Sequence, residues 1–216
     1  MRCAVKIYIR ENTFRLLPQK AILWEEENIL LISDLHIGKV QHFRKAGIAL
    51  PPKAIMENFN RLDELMQETK PSLVLFTGDL FHSHRNAEWE TFCEWRKRHE
   101  HLPMELVLGN HDRFIKNDCE GIGLTMHENE YIKGPFTFAH HPKNTFEKNE
   151  YVICGHIHPV ITLTGKARQQ LSIPCFYFGA QQAILPSFGY FTGGLAIEPQ
   201  EGDEVVAIVE GKLVKI

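Results

Sequence analysis

The sequence contains five short stretches in which a run of apolar residues is followed by residues that can bind a metal ion. In the stretch from Leu73 to His82, five apolar or β-branched residues, 73–77, run into Gly78, which allows a sharp turn before Asp79. Such a run is typical of a parallel strand that is buried on both faces. Because open α/β sheets bind ligands at the carboxyl ends of their strands, Asp79 is predicted to belong to a binding site. The corresponding residues of the other stretches are Asp34, His36, Asn110, His140, His156 and His158.

These side chains offer carboxylate, amide and imidazole donors and no thiolate. Such a set suits Mn²⁺, Fe or Zn²⁺ better than Cu(I), and better than the all-oxygen sites of Mg²⁺ or Ca²⁺. We expect two divalent ions about 3.5–4 Å apart, bridged by Asp79 and by a hydroxide that attacks a phosphoryl group in line. Asp34 and His36 are two residues apart, as are His156 and His158. In an extended chain, such a pair points to one side about 6–7 Å apart, so it can converge on one ion or flank two.

The composition limits the class of protein. The chain has 216 residues, is 44% hydrophobic and 24% charged, and carries a net charge of −3, as a globular protein with a sizeable core does. The negative net charge excludes a global attraction to nucleic acid, so a nucleic-acid substrate would need local positive charge or metal ions. The five cysteines form no Cys-x-x-Cys pair, and neither a signal peptide nor a membrane-spanning apolar run is visible. We therefore expect a cytoplasmic protein with reduced cysteines and no contact with membranes.

Strands and helices alternate in the first half, which predicts a parallel sheet with right-handed crossovers. The expected strands are 29–33, 73–77 and 105–108, and the expected helices are 54–68 and 86–99. They are preceded by a hairpin of 4–9 and 13–17, turning at Glu11-Asn12, and by a strand at 21–24. The segment 38–52 is expected to be a loop.

From residue 122 onwards, short strands and turns predict a second, mixed or antiparallel sheet. The expected strands are 122–126, 129–133, 136–140, 151–154, 160–164, 168–173, 175–178, 182–185, 195–198, 205–209 and 212–215. The segment 186–194 is a loop rich in glycine and aromatic residues. With no linker or repeat in the sequence, we expect one domain, 1–216, made of two packed sheets with helices outside.

The metal-binding motifs occur in a specific order, and together they resemble those of the calcineurin-like metallophosphoesterases. They are Asp-x-His at 34–36, Gly-Asp at 78–79, Gly-Asn-His-Asp at 109–112, a histidine at 140 and Gly-His-x-His at 155–158. The resemblance implies an α/β (α+β) sandwich of two mixed β-sheets flanked by helices. It also implies that Asp34, His36 and His158 bind one metal ion, that Asn110, His140 and His156 bind the other, and that Asp79 bridges. His111 would protonate the leaving oxygen.

Longer motifs are similar to those of the PdeM group, the ligase-associated DNA-damage-response endonucleases. They are Asp-Leu-His-Ile-Gly-Lys, Gly-Asp-Leu-Phe-His-Ser, Ala-His-His-Pro, Gly-His-Ile-His-Pro and Phe-Thr-Gly-Gly. This likeness implies Mn²⁺-dependent hydrolysis of phosphodiester bonds in DNA, a role in DNA repair, and a DNA ligase and a helicase as partners. The alternatives are a phosphodiesterase acting on cyclic nucleotides or other small diesters, and a non-catalytic interaction module on the same fold. The intact ligand set and His111 disfavour the module.

The sequence departs from the phosphatase branch of the superfamily at two places. That branch has Asp-Arg three and four residues after its bridging aspartate, where this chain has His82 and Ser83. His141 stands where many members have glycine. Both departures predict a preference for phosphodiesters over phosphomonoesters. His82 is either a partner of His111 or a surface residue.

The residues that bind substrate are less well defined by the sequence. Arg44, with Lys39 and Lys45, could bind phosphate beside Asp34 or belong to a solvated loop. Arg113 could reach the phosphate or lie in the first turn after Asp112, which resembles an N-cap. The resemblance favours His140 over His141 as the metal ligand, and His141 would then support the site. The aromatic residues Phe188, Tyr190 and Phe191 are expected to pack a turn rather than stack on bases.

Overall fold

The computed structural model describes residues 5–45, 47, 53–82, 86–115, 120–164, 170–190 and 192–216, and its strands form two β-sheets. The first sheet has seven strands in the order β1 to β7. They are β1 Val5–Ile9, β2 Asn12–Leu17, β3 Ala21–Trp24, β4 Ile29–Ile32, β5 Leu73–Phe76, β6 Met104–Val107 and β7 Thr125–His127. Neighbours from β1 to β4 are antiparallel, and neighbours from β4 to β7 are parallel.

The second sheet has nine strands and mixed pairing. They are β8 Glu130–Lys133, β9 Phe136–Ala139, β10 Tyr151–Cys154, β11 Pro159–Thr164, β12 Gln170–Phe178, β13 Gln182–Ile184, β14 Leu195–Ala196, β15 Glu204–Val209 and β16 Lys212–Lys215. The order is β14-β11-β12-β13-β10-β9-β8, and β15 pairs with both β12 and β16. The central strands β9, β10 and β13 are parallel, whereas β8 and β12 run antiparallel to them.

The alternation of side chains along β4 and β5 explains why every residue of these short strands is buried. Leu31 and Leu75 belong to a cluster shared with Phe136 and Phe176 of the second sheet, so this cluster lies between the sheets. The adjacent residues of both strands point to the opposite face, where they pack on helices. Truncating one such core side chain to alanine typically costs about 2–5 kcal/mol.

Helices cover the outer face of the first sheet. The helices are α1 Lys39–Lys45, α2 Lys53–Thr69 and α3 Ala87–Arg98. Phe59 of α2 and Trp95 of α3 are buried in one cluster with Phe76. Asn86 caps α3, since its side chain accepts hydrogen bonds from the N–H groups of Glu88 and Trp89. This arrangement confirms the predicted sandwich of two packed, mixed sheets flanked by helices. Within the described residues, no helix has the length and apolar character needed to cross a membrane.

The strand boundaries differ from the sequence prediction at a few points. The first hairpin turns at Arg10 and Glu11, both with positive φ, rather than at Glu11-Asn12. The strands expected at 168–173 and 175–178 form the single strand β12, which continues through Pro174 while pairing with β11. β7 joins the first sheet beside β6, although residues after 122 were expected in the second sheet. The end of the segment expected to be a loop, 48–52, lies outside the described residues.

The segment 38–52 was predicted to be a loop, but Lys39–Lys45 is helical. The start of this helix is held by Glu88, a buried side chain of α3. Its carboxylate accepts hydrogen bonds from the N–H groups of Gly38, at 2.8 Å, and Gln41, at 2.7 Å. Burial raises the pKa of Glu88. The prediction was wrong because this carboxylate comes from a distant part of the chain, which local sequence patterns cannot reveal.

Candidate metal centre

The predicted metal ligands come together where the ends of both sheets meet. Asp34 follows β4, Asp79 follows β5, and Asn110 follows β6 on the first sheet. His140 and His156 follow β9 and β10 on the second sheet. The parallel pairing within each group brings the strand ends to one edge. The site is therefore built across the packed interface of the sandwich.

The carboxylate of Asp79 faces two groups of histidines at once. Its Oδ1 lies 3.4 Å from Nε2 of His140, and its Oδ2 lies 3.9 Å from Nε2 of His36. Only 5% of the Asp79 side chain is exposed. A buried carboxylate with one oxygen turned to each group has the arrangement expected of a ligand that bridges two ions.

The first group contains Asp34, His36 and His158, whose donor atoms all lie within 4.8 Å of one another. Asp34 Oδ1 is 3.2 Å from Nε2 of His158 and 4.0 Å from Nε2 of His36. The second group contains His140, His141 and His156, whose donor atoms also lie within 4.8 Å of one another. His156 Nδ1 lies 3.1 Å from His140 Nε2. Asn110 reaches this group through its Oδ1, which lies 2.9 Å from Nε2 of His141.

Several donor atoms of the first group are buried without a hydrogen bond. Among the described residues, these include Oδ1 of Asp34 and the Nε2 atoms of His36 and His158. A buried polar atom left unpaired typically costs about 1–3 kcal/mol. A divalent cation placed among these atoms would satisfy all of them. The described residues thus fit a dinuclear divalent metal site, with oxygen and imidazole donors and no thiolate.

Both Asp-x-His and His-x-His have a strained backbone rather than an extended one. Asp34, His36, His156 and His158 have φ values of 54°, 51°, 70° and 50°, and Asp79 has a φ of 47°. Non-glycine residues rarely adopt this left-handed conformation, and each costs of order 1–3 kcal/mol. The expectation that the paired residues extend side by side was therefore wrong about the backbone. They converge because the two left-handed residues of each pair, on either side of Leu35 or Ile157, turn the chain sharply.

The glycines of the motifs make room for ligands from neighbouring strands. A Cβ on Gly78, whose φ is +93°, would fall on the imidazole of His140. A Cβ on Gly109 would fall on the carboxylate and backbone nitrogen of Asp79. These glycines are needed because the strand ends approach each other within the radius of a methyl group.

Hydrogen bonds orient the imidazoles of the site. Nδ1 of His140 lies 3.1 Å from the carbonyl oxygen of Thr77, and Nδ1 of His158 lies 2.9 Å from that of Gly193. Nδ1 therefore donates in both cases, which leaves Nε2 free to bind a cation. Burial alone would lower the pKa of His140, but the Asp79 carboxylate raises it. Burial lowers the pKa of His36 to about 3, so this imidazole is neutral and able to bind a metal.

Asp112 has a structural role at the site. The sequence pattern indicated only an N-cap at this residue. It is fully buried, and its two carboxylate oxygens accept hydrogen bonds from the N–H groups of Phe81, at 3.0 Å, and Gly109, at 2.9 Å. Burial raises the pKa of Asp112 to about 7. The residue ties the loop after β5 to the loop after β6, in addition to starting a 3-10 turn, Asp112–Ile115. Its position directly after Asn110-His111 was the only signal in the sequence.

His111 lies at the mouth of the centre, with 42% of its side chain exposed. Its Nε2 is 3.9 Å from Asp79 Oδ2. The ring of His82 stacks on it, with centroids 5.0 Å apart, so His82 contacts His111 and is not an isolated surface residue. Burial lowers the pKa of His82 to about 4. His36, His82 and His111 also have donor atoms within 4.8 Å of one another.

The remaining candidates for substrate binding lie at different distances from the centre. Arg113 and His141 are exposed, and they line a cleft of about 200 Å³ together with His140. Arg44 is exposed on α1. Phe188 is fully buried and packs as predicted, whereas Ser83 and Phe191 lie outside the described residues.

Comparisons with known proteins agree with this fold. The sequence model of the calcineurin-like phosphoesterases matches residues 27–159, and the chain belongs to this family. It is a metal-dependent hydrolase of the metallophosphoesterase type.

The solved structures that are similar to this chain include the following two. The structure of Pseudomonas putida nuclease MPE is 30% identical, with a TM-score of 0.84, covering 99% of this chain and 100% of that one. A phosphoesterase from E. coli is 13% identical, with a TM-score of 0.47, covering 87% of this chain and 97% of that one. No curated protein matches the chain.

Proposed function

We propose that this protein is a two-metal phosphodiesterase that cleaves DNA. The observation that carries the proposal is the carboxylate of Asp79, which turns one oxygen to His140 and the other to His36 across 3.4 and 3.9 Å. In the proposal, Asp34, His36 and His158 bind one ion, Asn110, His140 and His156 bind the other, and Asp79 bridges. His140 is preferred to His141 because it is buried against Asp79, whereas His141 is exposed and contacts Asn110.

When bound, the ions would supply Lewis-acid activation of the phosphoryl oxygen and of the attacking water. The residues of the chain supply orientation and a proton. His111 donates its Nδ1 proton to the carbonyl oxygen of His82, at 3.0 Å, and this bond directs Nε2 towards the centre. A protonated Nε2 can then transfer its proton to the leaving oxygen. His82 supports the ring of His111 by stacking, and Arg113 and His141 bind the phosphate flanking the scissile bond.

DNA is proposed as the substrate because the similar Pseudomonas putida protein is described as a nuclease. The net charge of −3 does not attract DNA, so the two ions and Arg113 supply the local positive charge. Mn²⁺ is the proposed metal because of the mixed oxygen and imidazole donors, with Fe and Zn²⁺ as alternatives. We further propose that the protein acts in the cytoplasm as one domain, 1–216, in DNA repair, with a DNA ligase and a helicase as partners.

The test is a cleavage assay with Mn²⁺ on single-stranded DNA, double-stranded DNA and cyclic nucleotides, together with bis-p-nitrophenyl phosphate. We expect both DNA and the generic diester to be hydrolysed. The variant Asp79→Asn should lose most of its activity and bind less metal, because the bridging ligand loses its charge. Asp203→Asn, in which the altered side chain contacts Tyr177 outside the site, serves as the matched control. Cleavage of cyclic nucleotides but not DNA would reject the nuclease assignment, whereas the assignment as a phosphodiesterase would stand.

A further inference from the structure

Three hydrogen bonds join the segment 185–190 to the backbone of Ser33 and Asp34. The hydroxyl of Ser187 donates to the carbonyl oxygen of Asp34 at 2.7 Å, and the N–H of Gly189 donates to the same oxygen at 3.0 Å. The N–H of Phe188 donates to the carbonyl oxygen of Ser33 at 2.8 Å. A Cβ on Gly189 would collide with the backbone of Leu35, so these two segments of the chain are in direct contact. These bonds hold Asp34 at its unfavourable φ of 54°.

The continuation of the same segment holds His158, a second residue of the first metal-binding group. The carbonyl oxygen of Gly193 accepts a hydrogen bond from Nδ1 of His158 at 2.9 Å, which leaves Nε2 for a cation. The N–H of Leu195 lies 3.2 Å from the carbonyl oxygen of His158. One stretch of chain therefore orients both Asp34 and His158. Within the described residues, this stretch makes no hydrogen bond to Asn110 or His140 of the second group.

Arg61 of α2 attaches this segment to the body of the protein. Its guanidinium lies 3.9 Å from the ring centroid of Phe188 and 4.7 Å from that of Tyr190. It also donates to the carbonyl oxygen of Phe188, while the hydroxyl of Tyr190 donates to Glu57 at 3.1 Å. Phe188 is fully buried. Among the described residues, no carboxylate lies within 4.0 Å of this guanidinium. Besides the aromatic rings and the carbonyl, Oδ1 of Asn58 accepts a hydrogen bond from it at 3.3 Å.

We propose that Arg61 is a positioning residue of the metal centre, which sets the affinity of the ion position between Asp34, His36 and His158 through Phe188 and Ser187. The inference rests on the two-metal centre of the proposed function. Residues that orient metal ligands typically contribute 10–100-fold to metal affinity. Because the segment hydrogen-bonds to Asp34 and His158 of the first group, the larger loss of affinity is expected at the ion that this group binds.

The experiment is a Mn²⁺ titration of the full chain, prepared metal-free. Binding is measured by calorimetry and by the spectroscopic signal of free Mn²⁺. The variants are Arg61→Met, which removes the anchor, and Ser187→Ala, which removes one bond to Asp34. The matched control is Arg96→Met, because Arg96 also donates to backbone carbonyls, those of His99 and Gly123, and lies away from the site. Melting of each metal-free variant shows whether it is folded.

We expect wild type and Arg96→Met to bind two ions with the same pair of affinities. In Arg61→Met and Ser187→Ala, one affinity should fall by about 10–100-fold while the other is unchanged. Hydrolysis of bis-p-nitrophenyl phosphate should recover towards wild type at saturating Mn²⁺. His140→Ala weakens the ion position of the second group. When Arg61→Met or Ser187→Ala is added to this variant, the affinity of the first position should fall by the same factor.

Unchanged affinities in both folded variants, or an equal loss at both positions, would overturn the inference and leave the two-metal centre intact. If Arg61→Met does not fold, Ser187→Ala decides the question by the same criterion. A wild-type chain that binds fewer than two ions would instead overturn the two-metal centre, and the inference with it.

Discussion

The imidazoles of His82 and His111 are stacked, with ring planes inclined by 26°, and Nδ1 of His111 lies 3.0 Å from the carbonyl oxygen of His82. One residue thus orients the other by both its ring and its backbone. The remaining nitrogen of His111 points towards Asp79. This geometry defines which atom of His111 can exchange a proton with a substrate.

Replacement of His111 by alanine should leave the metal content nearly unchanged and lower kcat by about 10²–10⁴-fold, as the loss of a general acid does. The loss should be smaller for a diester that releases nitrophenolate, because this leaving group needs no proton. Steady-state kinetics on good and poor leaving groups, with metal analysis, measure both effects. His127→Ala, which removes a histidine paired with Glu105 instead, is the control. An equal loss on all substrates would assign His111 a structural role.

We expect the enzyme to hydrolyse bis-p-nitrophenyl phosphate with a higher kcat/KM than p-nitrophenyl phosphate at equal Mn²⁺ and pH. A monoester carries nearly two negative charges, which a bidentate arginine binds well, and this chain has Ser83 at that position of the phosphatase branch. The double substitution His82→Asp and Ser83→Arg should shift the ratio towards the monoester. A preference of the wild-type enzyme for the monoester would contradict the diester assignment.

Gly109→Ala should reduce both metal binding and stability. The added methyl group would overlap the carboxylate and the backbone nitrogen of Asp79, so the loops after β5 and β6 would have to separate. Overpacking of this kind typically costs about 1–3 kcal/mol. Gly121→Ala is the matched control, since no atom lies within 4 Å of its added methyl group. Denaturant unfolding of the metal-free proteins and Mn²⁺ titration test the two effects, and equal behaviour of both variants would refute the close approach.

Lys20 should produce a rise in stability at alkaline pH. Burial, together with the charge of Arg61, lowers the pKa of Lys20 from 10.5 to about 8 in the folded protein. Between pH 8 and pH 10.5 the unfolded chain binds more protons at this residue than the folded one, so the free energy of unfolding increases with pH there.

The variant Lys20→Met removes this titration. It should be more stable than wild type by about 2–3 kcal/mol below pH 8, and the difference should vanish as the pH approaches 10.5. Urea unfolding of both proteins at several pH values measures the difference. A constant difference across this range would show that the folded pKa of Lys20 is ordinary.

Sequence patterns were sufficient to predict the strands that lead to the site, because β4 and β5 are buried on both faces and read as short apolar runs. They also placed the side chains of Asp79, His140 and His156 together, because ligands follow the ends of parallel strands. The left-handed backbone of Asp34 and His158 was not predictable. It depends on hydrogen bonds from Ser187 and Gly193, which lie far away in the sequence.

Other features of the site depend on contacts that no local pattern carries. Helix α1 forms because Glu88 binds its first N–H groups, and Asp112 joins two loops through Phe81 and Gly109. Arg61 reads as one more polar residue of an amphipathic helix, whereas it lies under the ring of Phe188. In each case the partner is supplied by tertiary structure rather than by neighbours in the chain.

The division of the ligands between the two sheets determines when the site can form during folding. Asp34, Asp79 and Asn110 belong to the part of the chain that is synthesised first, and His140, His156 and the supporting Ser187 follow. A nascent chain with only the first sheet complete has half of the proposed ligands. In the proposed two-metal centre, metal binding would therefore follow closure of the sandwich. Each bound ion would then oppose separation of the sheets, because a ligand that binds only the folded state stabilises it by mass action.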